Sequence, residues 1–312
     1  MSAAEALAPD TLQAPPGATG RIVLDMASAT YFADPCERPS LSASIATVID
    51  RQSPAHAHAR HPRLGGVRRA DTKSLDAGSL IHTMLLGQGK AIAVVDADDW
   101  RSKAAQLARD NARAEGKVPA LRKDFDGAEV AATRLRARLD GFRAELVGES
   151  EPALLCTETA RGGGEVLCRG MLDHLIIDEA AARATIYDLK SARSAHPDAL
   201  GRHIDTYGYA IQRAAYVRAI EAARPDLAGR VDFVLLFVEL EAPYVALPVR
   251  LSGAFRALGE QRWARAVDIW ERCLREDRWP AYAEATVEIE PPPWALTREL
   301  ARETEEEDLH GY

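Results

Sequence analysis

Four short strand-like runs crowded between Ala153 and Leu189 constrain this chain more than any other feature of it. They cover Ala153–Thr159, Glu165–Leu172, Leu175–Ile177 and Ala184–Leu189, and are separated by Arg161-Gly-Gly-Gly164 and by Asp178–Ala182. Runs of that length, divided by turn residues at that spacing, predict an antiparallel meander. A strand sends alternate side chains to opposite faces, so Asp188 and Lys190 point one way while Tyr187 and Leu189 point the other. Asp173 ends an earlier strand of the same predicted meander, which can bring it close to Asp188.

Helical patterns surround this block. Arg21–Met26 reads as a strand, and Ser42 as the N-cap of a helix through Val48 and Ile49, its hydroxyl satisfying an otherwise unpaired amide. Ser53-Pro54 opens a second helix, with proline at the first helical position where a missing N–H costs nothing. A third helix is expected from Leu75 to Leu86, closed by Gly87 and Gly89. After a strand at Ala91–Val95, the stretch from Asp98 to about Leu146 reads as charged helix, broken near Gly116–Pro119. Beyond the meander come a helix from Thr206 to Ala223, strands at Val231–Glu239 and Tyr244–Val249, and a long helix capped by Ser252. The expected fold class is α/β, a mixed central β-sheet flanked by helices. Residues 1–20 form a flexible leader in this reading, 21–293 a single domain, and 294–312 an acidic, loose tail.

Composition narrows the function. Hydrophobic residues make up 47% of the chain, enough for a sizeable core. A formal net charge of −8 argues against a uniformly basic coat for nucleic acid. A local basic groove stays open, since Arg60, Arg63, Arg68 and Arg69 cluster. Arg193 and Arg202 are further candidates, although solvated arginines explain all of these equally well. Cys36, Cys156, Cys168 and Cys273 have no zinc or iron–sulfur spacing, and buried free thiols are the expectation. No run is apolar enough to span a membrane and the start lacks signal-peptide character. A cytoplasmic, reduced protein follows.

The residue pattern with most chemical content is Gly170-x₂-Asp173 followed by Asp188-x-Lys190. Two converging carboxylates suit a hard cation such as Mg²⁺. Such an ion polarises a phosphodiester and lowers the pKa of a bound water, and a lysine beside it offsets charge on phosphorus. Taken alone, an Asp-x-Lys triplet is usually a cross-strand salt bridge. His82 lies in an apolar helical run one turn after Gly78. A histidine so placed is more often a satisfied core residue than a ligand. Glu151 is a further carboxylate, and Gln212 and Tyr216 share a helix face four residues apart.

In order, Ser42-x-Ser44, Gly78-x₃-His82, Ser150-Glu151, Gly170-x₂-Asp173, Asp188-x-Lys190 and Gln212-x₃-Tyr216 resemble the PD-(D/E)XK nuclease superfamily. The likeness is nearest to the branch holding the nuclease domain of exonuclease VIII (RecE) and its phage and prophage relatives. It runs from about Ser40 to Pro293 and takes in Trp279-Pro-x-Tyr282. The resemblance implies a restriction-endonuclease-like core and roles at matching positions. His82, Asp173, Asp188 and the Leu189 carbonyl would hold metal, with Glu151 less securely matched. Lys190 would be the catalytic lysine, with Gln212 and Tyr216 lining the site. Mg²⁺ is the implied ion, with Mn²⁺ substituting. The implied substrate is linear duplex DNA degraded from 5′ ends, beside a single-strand annealing protein and within a ring-shaped homo-oligomer. Met171-Leu172 and Ser191-Ala192 depart from the family pattern around these positions and bear on DNA contacts. Two alternatives stay open: a nuclease for single-stranded or structured DNA, and a non-catalytic DNA-binding protein on the same fold.

Overall fold

Gly208 and the peptide between Met171 and His174 decide how the elements are arranged, because each interrupts a run that would otherwise continue. The structure is a computed structural model and describes residues 18–66, 80–85, 91–141, 147–239, 241–283 and 285–310. Residues 1–17 of the expected leader, and Gly78, Arg68 and Arg69, lie outside the described residues.

The N-terminal part follows its caps. Strand β1 (Gly20–Val23) precedes a short helix α1 (Ser28–Phe32) and a two-residue strand β2 (Leu41–Ser42). Ser42 then caps α2 (Ala43–Arg51), its Oγ accepting from the Ile45 N–H, and Ser53 caps α3 (Pro54–Arg60). Residues 80–85 are helical (α4). The charged stretch that reads as broken helix is instead a parallel β-α-β unit. Strand β3 (Ile92–Val95) pairs with β4 (Val118–Leu121) across α5 (Lys103–Ala114), and α6 (Arg122–Gly141) follows. Pro119 lies inside β4, where a proline normally argues against a strand. A two-stranded sheet has only edges, so the missing N–H goes unnoticed.

The expected meander divides into two sheets. Strands β6 (Ala153–Thr159) and β7 (Glu165–Met171) form an antiparallel hairpin between β1 and β2. Strand β8 (His174–Asp178) leaves that sheet, pairing with the short β5 (Glu149–Ser150) and with β9 (Arg183–Ala192). The second sheet has the order β11-β10-β9-β8-β5, with β10 (Val231–Glu239) parallel to β9 and β11 (Ala246–Arg250) antiparallel to β10. Asp173 thus ends no strand: it sits in the crossing between sheets. The expected helix from Thr206 is two helices, α7 (Pro197–Tyr207) and α8 (Tyr209–Ala223). Helix α9 (Gly253–Glu276) starts at its Ser252 cap as expected, and the tail expected to be loose forms α10 (Pro293–His310).

Helix α8 is the hub. Ala210, Ile211, Ala214, Ala215, Tyr216, Val217, Ala219 and Ile220 are all buried, so most of its circumference is enclosed, with Arg218 exposed. It packs with Leu154, Cys168, Ile186, Leu235, Phe237, Trp263 and Trp270 in the larger core, between the two sheets and α9. The other face of the second sheet carries Leu189, Val234, Leu236 and Val238, covered by Leu80, Ile81 and Leu85 of α4 and by α6. Helices therefore flank the mixed sheet on both sides. Cys156 and Cys168 stand opposite each other in the hairpin as buried free thiols.

One polar node holds β7 to the N-terminal segment. The Asp34 carboxylate accepts from the Ser40 N–H (2.9 Å) and hydroxyl (2.7 Å), and lies 3.2 Å from His61 Nε2. Arg169 Nη1 donates to the Ser40 carbonyl at 2.9 Å and stands 3.3 Å from Asp34. Burial alone would raise the Asp34 pKa. The hydrogen bonds from His61 and Ser40 and the Arg169 charge outweigh it and hold the carboxyl well below the usual range. Its stabilising contribution is therefore present above the unfolded-state value of about 3.9 and fades as pH falls toward the folded-state value. Replacing Asp34 by Asn should cost about 3–5 kcal/mol at neutral pH, since Arg169 is left buried without its counter-charge. It should also flatten the loss of stability below about pH 4. Urea unfolding at pH 7 and pH 3 checks both, and a variant with wild-type pH dependence contradicts the assignment.

Candidate active site

Strand β8 begins at His174, opposite Tyr187, so β9 loses its β8 neighbour from Asp188 onward. A strand edge left open there exposes backbone donors and acceptors that need partners. Asp173, in the crossing, supplies one: its Oδ2 accepts the Leu189 N–H at 2.6 Å. The N–H and C=O of one strand residue face the same edge. The Leu189 carbonyl therefore faces the Asp173 side too. Asp173 Oδ1 also lies 3.3 Å from His82 Nε2, and His82 Nδ1 is 3.7 Å from Glu151. Glu151 stands between β5 and β6 with a left-handed φ of 55°, and its N–H donates to the Asp173 carbonyl at 3.1 Å. His82 reaches this group from α4, which covers the opposite face of the sheet.

Asp188 and Lys190 share one face of β9, as alternation demands, and form an ion pair. Asp188 is 1% exposed. The Gln212 amide donates to Asp188 Oδ1 at 2.9 Å and to the Tyr216 hydroxyl at 3.2 Å. That hydroxyl in turn donates to the Met171 carbonyl at 2.9 Å. Asp188 Oδ2 meets the Lys190 ammonium but, among the described residues, has no hydrogen bond of favourable direction. The Tyr216 ring is why residue 170 is glycine: a Cβ there would lie 2.8 Å from Tyr216 Cε1. The Lys190 ammonium sits 4.7 Å from the centre of the Tyr209 ring, a cation–π contact.

Burial pushes the Asp188 carboxyl up to about 6, against the opposing pull of Lys190. For Lys190, burial acts downward, but the charges of Asp188 and Asp173 prevail and the net direction is up. Asp173 is also penalised by burial, yet its contacts with His82, Lys190 and the Leu189 N–H bring it below the ordinary carboxylate value. His82 moves up, because Asp173 and Glu151 outweigh its own burial. The two carboxylates thus shift in opposite directions within one buried, charge-coupled group, as functional sites often arrange.

The sequence matches the family model of a PDDEXK-like domain of unknown function (DUF3799) over residues 42–290. The chain belongs to this PDDEXK-like family. Its fold is that of a candidate exonuclease from Eubacterium rectale, with a TM-score of 0.56 at 13% identity over 86% of this chain and 96% of that one. A second solved structure, SSO0001, covers 76% of this chain and 86% of its own at 12% identity, but its TM-score of 0.31 carries no argument. No curated protein matches the chain significantly. Membership and fold together support a nuclease.

PDDEXK-like nucleases generally use divalent metal ions. Among the described residues no three His, Cys, Asp or Glu side chains converge on one point. The carboxylates turn instead toward Lys190, His82 and a peptide N–H. The donor chemistry nevertheless fits a hard ion: two aspartates, a carbonyl on the same edge, and a buried Asp188 oxygen lacking a directed partner. Asp173, Asp188, Leu189, Lys190, Gln212 and Tyr216 thus meet around the open edge of β9, and His82 and Glu151 border it. Sequence reasoning missed Tyr209 and, beside it, His203 and Tyr207. Tyr207-Gly208-Tyr209 was the available signal, since a glycine between two aromatics can end one helix and begin another.

Gly170→Ala should force Tyr216 off its Met171 contact and release Gln212 from Asp188, lowering stability by about 1–3 kcal/mol. Thermal melts and nuclease assays should fall together, whereas an unchanged melting temperature would show that the ring has room to move.

Proposed function

We propose that this PDDEXK-like protein is a metal-dependent exodeoxyribonuclease acting on linear duplex DNA from 5′ ends. The observation that carries the nuclease chemistry is the meeting of Asp173, Asp188 and Lys190 at an unpaired strand edge. The 5′→3′ polarity, an annealing partner, a ring-shaped oligomer and a cytoplasmic role are supported by the resemblance to the exonuclease VIII branch. The reading places the chemistry in one nuclease domain spanning 21–293, outside the leader and the tail. Among the described residues no helix is long and apolar enough to cross a membrane.

In this reading Asp173, Asp188 and the Leu189 carbonyl hold Mg²⁺, or Mn²⁺ in its place, with His82 as a further ligand and Glu151 bordering it. When bound, such an ion supplies Lewis-acid polarisation of a phosphodiester. Lys190, ion-paired with Asp188, would offset charge on the phosphate. Gln212 fixes the Asp188 carboxylate, and Tyr216, anchored on Met171, fixes Gln212. The Tyr209 ring also contacts the lysine ammonium.

Duplex DNA labelled at its 5′ or 3′ end, incubated with Mg²⁺, tests this. Wild type should release the 5′ label first and leave covalently closed circles intact. Lys190→Ala and Asp188→Ala should each lose at least about 100-fold in rate. Circles cut as fast as linear duplex would sink the exonuclease reading. Cleavage by either variant at the wild-type rate would remove the chemistry from β9.

A further inference from the structure

Gly208 sets two tyrosine rings side by side at the mouth of the Lys190 site. Its φ of 71° ends α7 and starts α8, and a Cβ there would lie 2.5 Å from Thr47 Oγ1, so both the turn and the close approach require glycine. The rings of Tyr207 and Tyr209 lie 5.8 Å apart with only 19° between their planes. His203, one turn before Tyr207, stands 4.5 Å from it and 5.7 Å from Tyr209. Asp205 clamps the same turn, its carboxylate 2.7 Å from Arg262 of α9 and 2.8 Å from Arg51 of α2. The turn is tied down by these contacts, yet Tyr207 is 57% exposed. A ring held this firmly while exposing most of its surface is not explained by core packing.

Two exposed arginines lie in the chain between Lys190 and His203. Arg202, next to His203, and Arg193, three residues past Lys190, are both exposed, and among the described residues neither has a carboxylate partner. On and just after α8, Arg213 is paired with Glu260, Arg218 with Glu158 and Arg224 with Glu179. Aromatic faces beside unneutralised cations are the combination that holds single-stranded nucleic acid, bases on the rings and phosphates on the charges. The cation–π contact between Lys190 and Tyr209 sets the scale: a base resting on these rings belongs to a nucleotide at or next to the one whose phosphate meets Lys190.

We propose that Tyr207, supported by Tyr209 and His203, is a stacking subsite for an unpaired nucleobase of the DNA strand entering the Lys190 site, with Arg193 and Arg202 on its phosphates. This deepens the nuclease reading and rests on it. Inside a duplex, bases are stacked on both neighbours, and a blunt end offers only the outer face of its last pair, so the subsite favours a frayed or single-stranded end. Every base has a π-face, so the preference is for unpaired structure rather than for sequence.

The test separates binding from cleavage. The full chain is kept in a metal chelator and mixed with a duplex bearing a short single-stranded overhang that contains 2-aminopurine, whose fluorescence falls on stacking. A blunt duplex of the same paired length is the control. Wild type should quench the probe and favour the overhang. Tyr207→Ala should bind overhang DNA about 5- to 100-fold more weakly, abolish the quenching and leave blunt-duplex affinity within about two-fold. Tyr207→Phe, which keeps the ring, should behave as wild type. Overhang binding unchanged in Tyr207→Ala, or lost equally in Tyr207→Phe, overturns the subsite. Cleavage of the same DNA with Mg²⁺ is read in parallel. Cleavage without Tyr207-dependent quenching overturns the subsite alone, and quenching without cleavage supports the subsite while removing the nuclease reading.

Discussion

A single peptide N–H with no strand opposite it governs the arrangement of the site. Strand β8 pairs with β9 only as far as Tyr187, and the Leu189 N–H beyond is taken by the Asp173 carboxylate. For Asp173 to be there, the chain must leave the first sheet after Met171 and enter the second at His174. The division of the meander into two sheets is therefore what brings a second carboxylate to Asp188. A continuous meander would have buried that edge under a neighbouring strand.

The same crossing explains the supporting residues. Tyr216 can place its hydroxyl on the Met171 carbonyl only because Gly170 leaves space for the ring, and Gln212 then reaches Asp188 from the same helix. Arg169, one residue earlier, is locked to Ser40 and Asp34. Three consecutive residues of β7 thus connect the buried polar node, the central helix and the site. Burying Asp188 and Lys190 together costs desolvation that their attraction alone does not securely offset. The enclosing hydrogen bonds and the large core around α8 carry that cost, as is usual where stability is spent on reactivity.

Much of this was legible in the residues. The Ser42, Ser53-Pro54 and Ser252 caps start their helices where expected, and the period-two pattern puts Asp188 and Lys190 on one face. The α/β class follows from the same patterns. What escaped has physical reasons. The sheet change at Asp173 depends on pairing partners far away in sequence, which local alternation cannot report. Gly208 hides in a helical pattern because one glycine is tolerated in a helix, although Pro197 at the first position of α7 was a start signal. Pro119 masked β4, and the apolar residues Trp294, Leu296 and Leu300 of α10 sit among too many acidic neighbours to stand out. The structure gathers residues of the ordered motif set from α4, β9, α8 and the crossing.

The most direct measurement is anomalous diffraction from crystals soaked in Mn²⁺. An anomalous peak held by Asp173, Asp188 and the Leu189 carbonyl, with His82 alongside, is the expected result. Mn²⁺ bound elsewhere, in a protein that cleaves DNA with that ion, would contradict the placement of the chemistry at the open edge of β9.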